Sequence, residues 1–282
     1  DPEAWGNNHL PEHPHLQLHN CLANESRGAC WARRQAQQFF QGETFLLQID
    51  SHMRAVPNWD LKLLESWERC NDAKAVLSVY PNGFEQPCKL NMSTLPVMAA
   101  RRFDKYGILQ FQGISRYRMP EQKPSEPLAN ALIAGGFLFG PGSIVSDVPY
   151  DPYLYFDGEE ISVSARLWTH GYNIYSPNEL ILFHLYKSKS NNNPAENHWN
   201  DHQNWFELNR RSMVRIHTLL NSLKIAPVGL KPSEDDVKDL KNYGLGKSRS
   251  LADYQLWAGI DFLNQRINPK ALSGQFPAGQ AC

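Results

Sequence analysis

Gly42-Glu43-Thr44-Phe45-Leu46-Leu47-Gln48-Ile49-Asp50-Ser51-His52-Met53-Arg54 is the stretch on which the reading of this chain turns. Thr44 to Ile49 is an apolar run of strand length, and it stops at Asp50. Open α/β sheets bind their ligands in the crevice beyond the carboxyl ends of their strands, and Asp50 falls at such an end. His52 follows two residues later. A carboxylate and an imidazole at this extended-to-loop junction can both turn toward one divalent cation. Such donors, together with phosphate oxygens, suit Mn²⁺ or a similar octahedral ion. A cation there would neutralise negative charge developing on a departing diphosphate. A bare Asp-x-His is also what a strand-end acid beside a surface histidine looks like, so the motif needs company.

Working outward toward the N-terminus, Gly28 leads into a helix from about Ala29 to Gln41 that carries Trp31-Ala32-Arg33-Arg34. The forked donors of an arginine here suit a diphosphate. A solvated helix face is the alternative, and the preferred one for Arg34. Further back, His15 to His19 alternates like a short strand, and residues 1–14 are loop-like. Toward the C-terminus, Asn58 suits the N-cap of a helix running to Arg69, with Leu63, Leu64 and Trp67 on its apolar side. Ala75 to Tyr80 reads as a buried strand closed by Pro81-Asn82-Gly83. Strand, helix and strand in this order predict a βαβ unit and a mostly parallel sheet. Residues 97–112 read as a hairpin with Gly107 near its turn. Residues 113–130, with Pro120, Pro124 and Pro127, read as a surface loop. Ala131 to Phe139 is apolar around Gly135-Gly136.

Phe156-Asp157-Gly158-Glu159-Glu160 opens an amphipathic helix expected from Gly158 to His170, with Ile161, Ala165 and Trp168 on one face and Gly171 as its stop. Acids at a helix N-terminus are favoured by the dipole alone. Capping is therefore one reading, and holding a substrate hydroxyl is the other. Ile181 to Phe183 is a short strand ending in His184. A lone histidine beside apolar residues is usually a satisfied core residue; His184 becomes a metal-ligand candidate alongside Asp50 and His52. Beyond a boundary expected at Ser190 to Pro194, residues 200–223 and 250–263 read as helices. His198 and His202 have the i, i+4 spacing of a zinc helix but lack its glutamate, and read as a polar surface turn. His9, His13 and His15 beside prolines read as a loop.

The 28 Lys and Arg residues against 29 Asp and Glu leave a formal charge of -1, so no global field draws the chain to nucleic acid or an anionic membrane. No apolar run reaches the roughly 20 residues of a spanning helix, and no signal peptide follows Asp1. The five cysteines are odd in number and include no C-x-x-C. Reduced thiols in the cytoplasm are the expectation, rather than a disulfide framework or structural zinc.

Taken in order, Gly28-Ala29-Cys30-Trp31-Ala32-Arg33, the block from Gly42 to Arg54, Asn58-Trp59-Asp60, Ala75 to Pro81, Ala134-Gly135-Gly136-Phe137, Asp157-Gly158-Glu159-Glu160-Ile161 and His184-Leu185-Tyr186 resemble one family. It is the GlcNAc-transferase family that includes cytoplasmic enzymes modifying hydroxyproline on a ubiquitin-ligase subunit. The matches span residues 28 to about 190, with a weaker echo at Ser250 to Phe262. A more distant likeness is to the mucin-type polypeptide GalNAc-transferases, which also pair an Asp-x-His with a later histidine. The resemblance implies an α/β fold of the GT-A type over residues 1–190, with residues 191–282 a helical extension packed on it. It implies UDP-GlcNAc as donor, Mn²⁺ or another divalent cation, retention at the anomeric carbon, and a protein or peptide acceptor offering a hydroxyproline, Ser or Thr hydroxyl. Carried over by position, Asp50, His52 and His184 would bind metal. Arg33, Asp50, Ser51, Gly135 and Gly136 would face the UDP-sugar, and Asp157, Glu159 and Glu160 would stand at the catalytic end. A glycan or small-molecule acceptor, or a carbohydrate-binding protein that kept the fold, are the alternatives. The family's first apolar strand, which helps form the uridine pocket, ends in a segment of which Asp1-Pro2-Glu3 is the counterpart here. That strand is expected to precede residue 1.

Overall fold

The computed structural model describes residues 14–85, 89–186, 198–227 and 230–277. The expected boundary at Ser190 to Pro194, together with His9, His13, Cys88 and Cys282, lies outside these residues. The apolar run read first is β1 (Phe45–Ile49), preceded by α1 (Ala29–Gln37) and followed by β2 (Met53–Ala55) and α2 (Trp59–Glu68). Then come β3 (Ala75–Ser78), β4 (Asn82–Glu85), β5 (Lys89–Leu90), the hairpin of β6 (Thr94–Phe103) and β7 (Leu109–Arg118), β8 (Leu128–Asn130) and β9 (Phe137–Pro141). The short α3 (Ile144–Asp147), the central α4 (Glu159–Thr169), β10 (Asn173–Ser176) and β11 (Leu182–His184) complete this part. The later residues form α5 (His198–Asp201), α6 (Trp205–Leu219), α7 (Leu251–Ala258), the pair β12 (Ile260–Asp261) and β13 (Arg266–Ile267), and α8 (Pro269–Leu272).

Two sheets position the site. The larger has the order β1-β9-β3-β10-β8. It corrects the expected mostly parallel sheet: β9 lies between β1 and β3, antiparallel to both, and β3–β10 is the parallel pair. Burial explains the placement. Phe137 to Gly140 is buried at every position, whereas β1 is half-buried along most of its length. The more deeply buried strand is the one beside β3. The second sheet has the order β2-β11-β4-β5, and its register sets His184 opposite both Met53 and Gly83. The Leu185 N–H also donates to the His52 carbonyl at 3.0 Å. His184 is thus stitched to the turn that follows Asp50.

Several elements differ from expectation. His15 to His19 forms no strand, and α1 stops at Gln37. β7 runs on to Arg118 and β8 takes residues 128–130, shortening the expected loop at both ends. The helix expected over 250–263 ends at Ala258, because Gly259 turns left-handed (φ 68°) into β12. Asn58 precedes α2 as expected but is itself left-handed and makes no side-chain cap bond. The helix α4 is buried at ten of its eleven positions rather than along one stripe. It packs against both β10 and α7. The core joins Cys30, the strands and α4 to Ile216, Leu251, Tyr254 and Phe262 from the later elements. Among the described residues no helix is long and apolar enough to cross a membrane, and Cys21, Cys30 and Cys70 are free thiols.

Candidate active site

β1 delivers Asp50 to the start of β9, where the Asp50 N–H donates to the Gly136 carbonyl at 3.2 Å. Crowding explains the glycines. A methyl group at Gly136 would lie 2.5 Å from Asp50 Oδ2, and one at Gly135 would lie 2.9 Å from both Arg33 Nη1 and Glu159 Oε1. Arg33, reaching in from α1, grips two acids: Nη2 meets Asp50 Oδ1 at 3.0 Å, and Nη1 meets Glu159 Oε1. Burial works against its charge, but Tyr150, Cys30 and Asp50 outweigh it and hold the guanidinium more firmly protonated than usual.

Gly135 is held by its two flanking peptide groups. Its carbonyl accepts from Gln48 Nε2 at 2.6 Å, and its N–H donates to Glu160 Oε1 at 2.9 Å. Glu160 Oε2 accepts from the Tyr80 hydroxyl. Gln48 Nε2 also donates to the Tyr150 hydroxyl at 2.8 Å, and that hydroxyl donates to Glu159 at 2.9 Å. Burial pushes the Tyr150 phenol up to about 12. Burial also raises the Glu160 carboxyl, against the opposing pull of Tyr80, the Gly135 N–H and Arg33. Both acids at the head of α4 therefore spend hydrogen bonds on shaping the site.

Arg33, Asp50, Gly135, Gly136, Glu160 and His184 line one cavity of about 160 Å³, with Met53, Tyr80, Pro81 and Tyr186. This is below the roughly 300 Å³ of a pocket that encloses a whole small ligand. His184 Nδ1 is buried and has no hydrogen-bond partner. Burial lowers the readiness of this ring to protonate, Asp50 opposes that, and His52 adds to it. The buried, unpaired imidazole nitrogen of His184 and the oxygen of Asp50 that faces Gly136 are donors of the kind a Mn²⁺-like ion takes, so Asp50 and His184, of the three residues expected to bind metal, fit such an ion within this cavity. His52 is left-handed (φ 60°), with Nδ1 3.0 Å from Ser51 Oγ. Ser51 and His52 are exposed and outside the cavity lining, as is Asp157. Among the described residues no three His, Cys, Asp or Glu side chains already surround a metal-sized point.

Tyr80, Tyr186 and Met53 line the cavity without having been singled out from sequence. Tyr80 stands just past the end of β3, so the strand-end rule that picked Asp50 applied to it as well. Tyr150 and Gln48 carried no such signal: one lies in an aperiodic loop and the other reads as an ordinary strand residue. Arg34, read as a solvated position, stands near enough to Tyr243 for its charge to oppose the burial that raises that phenol. His198, read as part of a surface turn, instead begins the short α5. It is half-buried, with Nδ1 2.8 Å from the Tyr155 hydroxyl and its ring stacked on His202, because i, i+4 side chains share a helix face.

A profile of the glycosyltransferase family described as Glycosyltransferase (GlcNAc) matches residues 8–264. The chain belongs to the GlcNAc glycosyltransferase family. A search of curated protein sequences found no match. Among solved structures, this GlcNAc glycosyltransferase family member is similar to a crystal structure of GalNAc-T7 with UDP, GalNAc and Mn²⁺. The TM-score is 0.51 at 14% identity, over 78% of this chain and 42% of that one. A likeness at that identity speaks to fold, and it agrees with the expected mixed α/β architecture of the GT-A type. The chain spans less than half the length of the GalNAc-T7 chain.

Proposed function

We propose that this chain transfers GlcNAc from UDP-GlcNAc to a protein hydroxyl, on hydroxyproline, Ser or Thr, with Mn²⁺ held by Asp50, His52 and His184. The observation that carries this reading is the junction itself. A carboxylate and a histidine whose Nδ1 is buried and unpaired line one cavity with a forked guanidinium, at the carboxyl end of β1. The family supports glycosyl transfer, and the UDP, GalNAc and Mn²⁺ named for GalNAc-T7 support a nucleotide-sugar donor and a divalent cation.

When bound, the cation supplies charge neutralisation to the departing diphosphate. The chain's own residues do the rest. Arg33 offers guanidinium N–H donors toward an anion. Gly135 and Gly136 let the backbone come close to the sugar, and Gly135 is held on both sides, its carbonyl by Gln48 and its N–H by Glu160. Preorganised groups of this kind reduce the reorganisation needed as charge develops. Retention rests on the family resemblance, and Asp157, Glu159 and Glu160 are assigned to the sugar–acceptor end. The loop between β7 and β8 is assigned to acceptor recognition, since loops on a rigid scaffold commonly carry specificity. A cytoplasmic setting would keep Cys21, Cys30 and Cys70 reduced.

The test is UDP release from UDP-GlcNAc with and without Mn²⁺, for the unsubstituted chain and Asp50→Ala. The expected result is Mn²⁺-dependent release that falls on the order of 10²-fold or more in Asp50→Ala, as for loss of a group stabilising transition-state charge. Release that is indifferent to both Mn²⁺ and Asp50 would sink the metal assignment.

A further inference from the structure

Arg33 makes its two contacts with unequal firmness. Glu159 is buried (7% side-chain exposure) and is also held by the Tyr150 hydroxyl. Asp50 is 44% exposed at the cavity rim. The Arg33 guanidinium further lies 5.7 Å over the Tyr150 ring. Nη1 is therefore an anchored end and Nη2 a releasable one. The releasable end sits on the carboxylate proposed to take a divalent cation. A second cation on the Asp50 carboxylate is repelled by the Arg33 guanidinium, and an anion that draws Arg33 away relieves that repulsion.

We infer that Arg33 is a coupling residue between metal and nucleotide: it shields Asp50 until a diphosphate gives Nη2 a new partner. This rests on the metal reading above and adds a sign to it. Uptake of a cation on Asp50 Oδ2 alone sets it against the Arg33 guanidinium on Oδ1 of the same carboxylate and weakens the Arg33–Asp50 pair. With a diphosphate present, Arg33 pivots about Glu159 onto phosphate oxygens and Asp50 is freed. Metal and diphosphate then favour each other by the same factor in both directions, as linkage requires. A guanidinium that repelled the cation without changing partner would alter metal affinity equally with and without nucleotide.

The experiment is titration of the full chain with Mn²⁺ alone, and with Mn²⁺ plus UDP, following free Mn²⁺ by electron paramagnetic resonance. Without UDP, Arg33→Met is expected to bind Mn²⁺ about fivefold more tightly than the unsubstituted chain, the scale of one partly exposed ion pair. Its enhancement of Mn²⁺ affinity by UDP should shrink by a similar factor. Glu159→Gln should move the other way: with its anchor neutralised, Arg33 leans on Asp50 and Mn²⁺ alone binds more weakly. Arg33→Lys, which keeps the charge but cannot fork, should fall between the unsubstituted chain and Arg33→Met, and serves if Arg33→Met does not fold. Equal Mn²⁺ affinity in the unsubstituted chain and the Arg33 variants, or weakening in all the variants alike, would overturn the coupling role while leaving the metal site standing. No Mn²⁺ binding by the unsubstituted chain, with or without UDP, would overturn both.

Discussion

A methyl group at Gly136 would press on the carboxylate of Asp50, whose Oδ2 lies 2.5 Å from where that carbon would sit, with Cγ at 2.9 Å. The carboxylate is half-exposed and can swing away, so the fold has little at stake. The chemistry has more, because a displacement of about 1 Å at a reacting centre costs on the order of 10²-fold in rate. Gly136→Ala is therefore expected to keep its melting temperature within a few degrees while losing at least tenfold in UDP release. A variant with unaltered turnover would show that Asp50 does not need its observed position. At this scale much of the candidate site was legible. Asp50 could be found because an apolar strand ended on it, and Gly135-Gly136 because two glycines interrupted an apolar run. The roles of Glu159 and Glu160 were not legible, since the dipole of α4 explains acids at its start equally well. Their partners Arg33, Tyr150, Tyr80 and the Gly135 N–H appear only once three separated segments meet. Tyr150 could not be found at all, because a buried hydroxyl linking Gln48 to Glu159 leaves no periodic trace.

Between residue and molecule, the element that carries most is α4, which presents both acids and crosses the core. It begins at Gly158, whose φ of +82° favours glycine and whose missing Cβ makes room for Ile216 of α6. Gly158→Ala therefore combines left-handed strain with overpacking. Each is worth about 1–3 kcal/mol, and together they should lower the melting temperature by roughly 5–10 °C. Thermal unfolding followed by circular dichroism decides it; a shift under 2 °C would mean that α6 moves aside freely. The boundaries of α4 could be read from sequence because Gly158 and Gly171 bracket an apolar pattern. Its near-complete burial could not, because it depends on elements distant in sequence, α7 and β10, packing against it. Sheet order failed for a related reason. Strand–helix–strand predicts parallel neighbours, but it says nothing of a later strand such as β9, whose apolar residues compete for the same central position.

Across the whole molecule, the later elements are tied to the site by charges in and around the core. Arg215 of α6 is fully buried. Its Nε donates to Asp151 at 2.8 Å, one residue from the Tyr150 that braces Glu159, and its Nη1 donates to the carbonyls of Asp236 and Lys238. Asp236 also bonds Arg210 and accepts from the Ser233 N–H and hydroxyl. Burial pushes the Asp236 carboxyl up, but Arg210 and Ser233 prevail and hold it at about 2, below its ordinary 3.8. The sign follows from linkage. A carboxyl depressed in the folded state binds fewer protons there than in the unfolded state, so its contribution is fully present above about pH 4. It is lost as pH falls toward 2. Asp236→Asn removes the titrating group and its charge-assisted bonds together. The gap in melting temperature between the unsubstituted chain and Asp236→Asn should thus be largest above pH 4, narrow between pH 4 and 2, and close near the lower end. Salt should shrink the gap only modestly, since Asp236 is 2% exposed and such pairs are poorly screened. A gap that stays constant from pH 6 to 2 would mean that Asp236 contributes through packing alone. Residues 233–239 would then be anchored by the Arg215 bonds to their carbonyls, which do not titrate in this range.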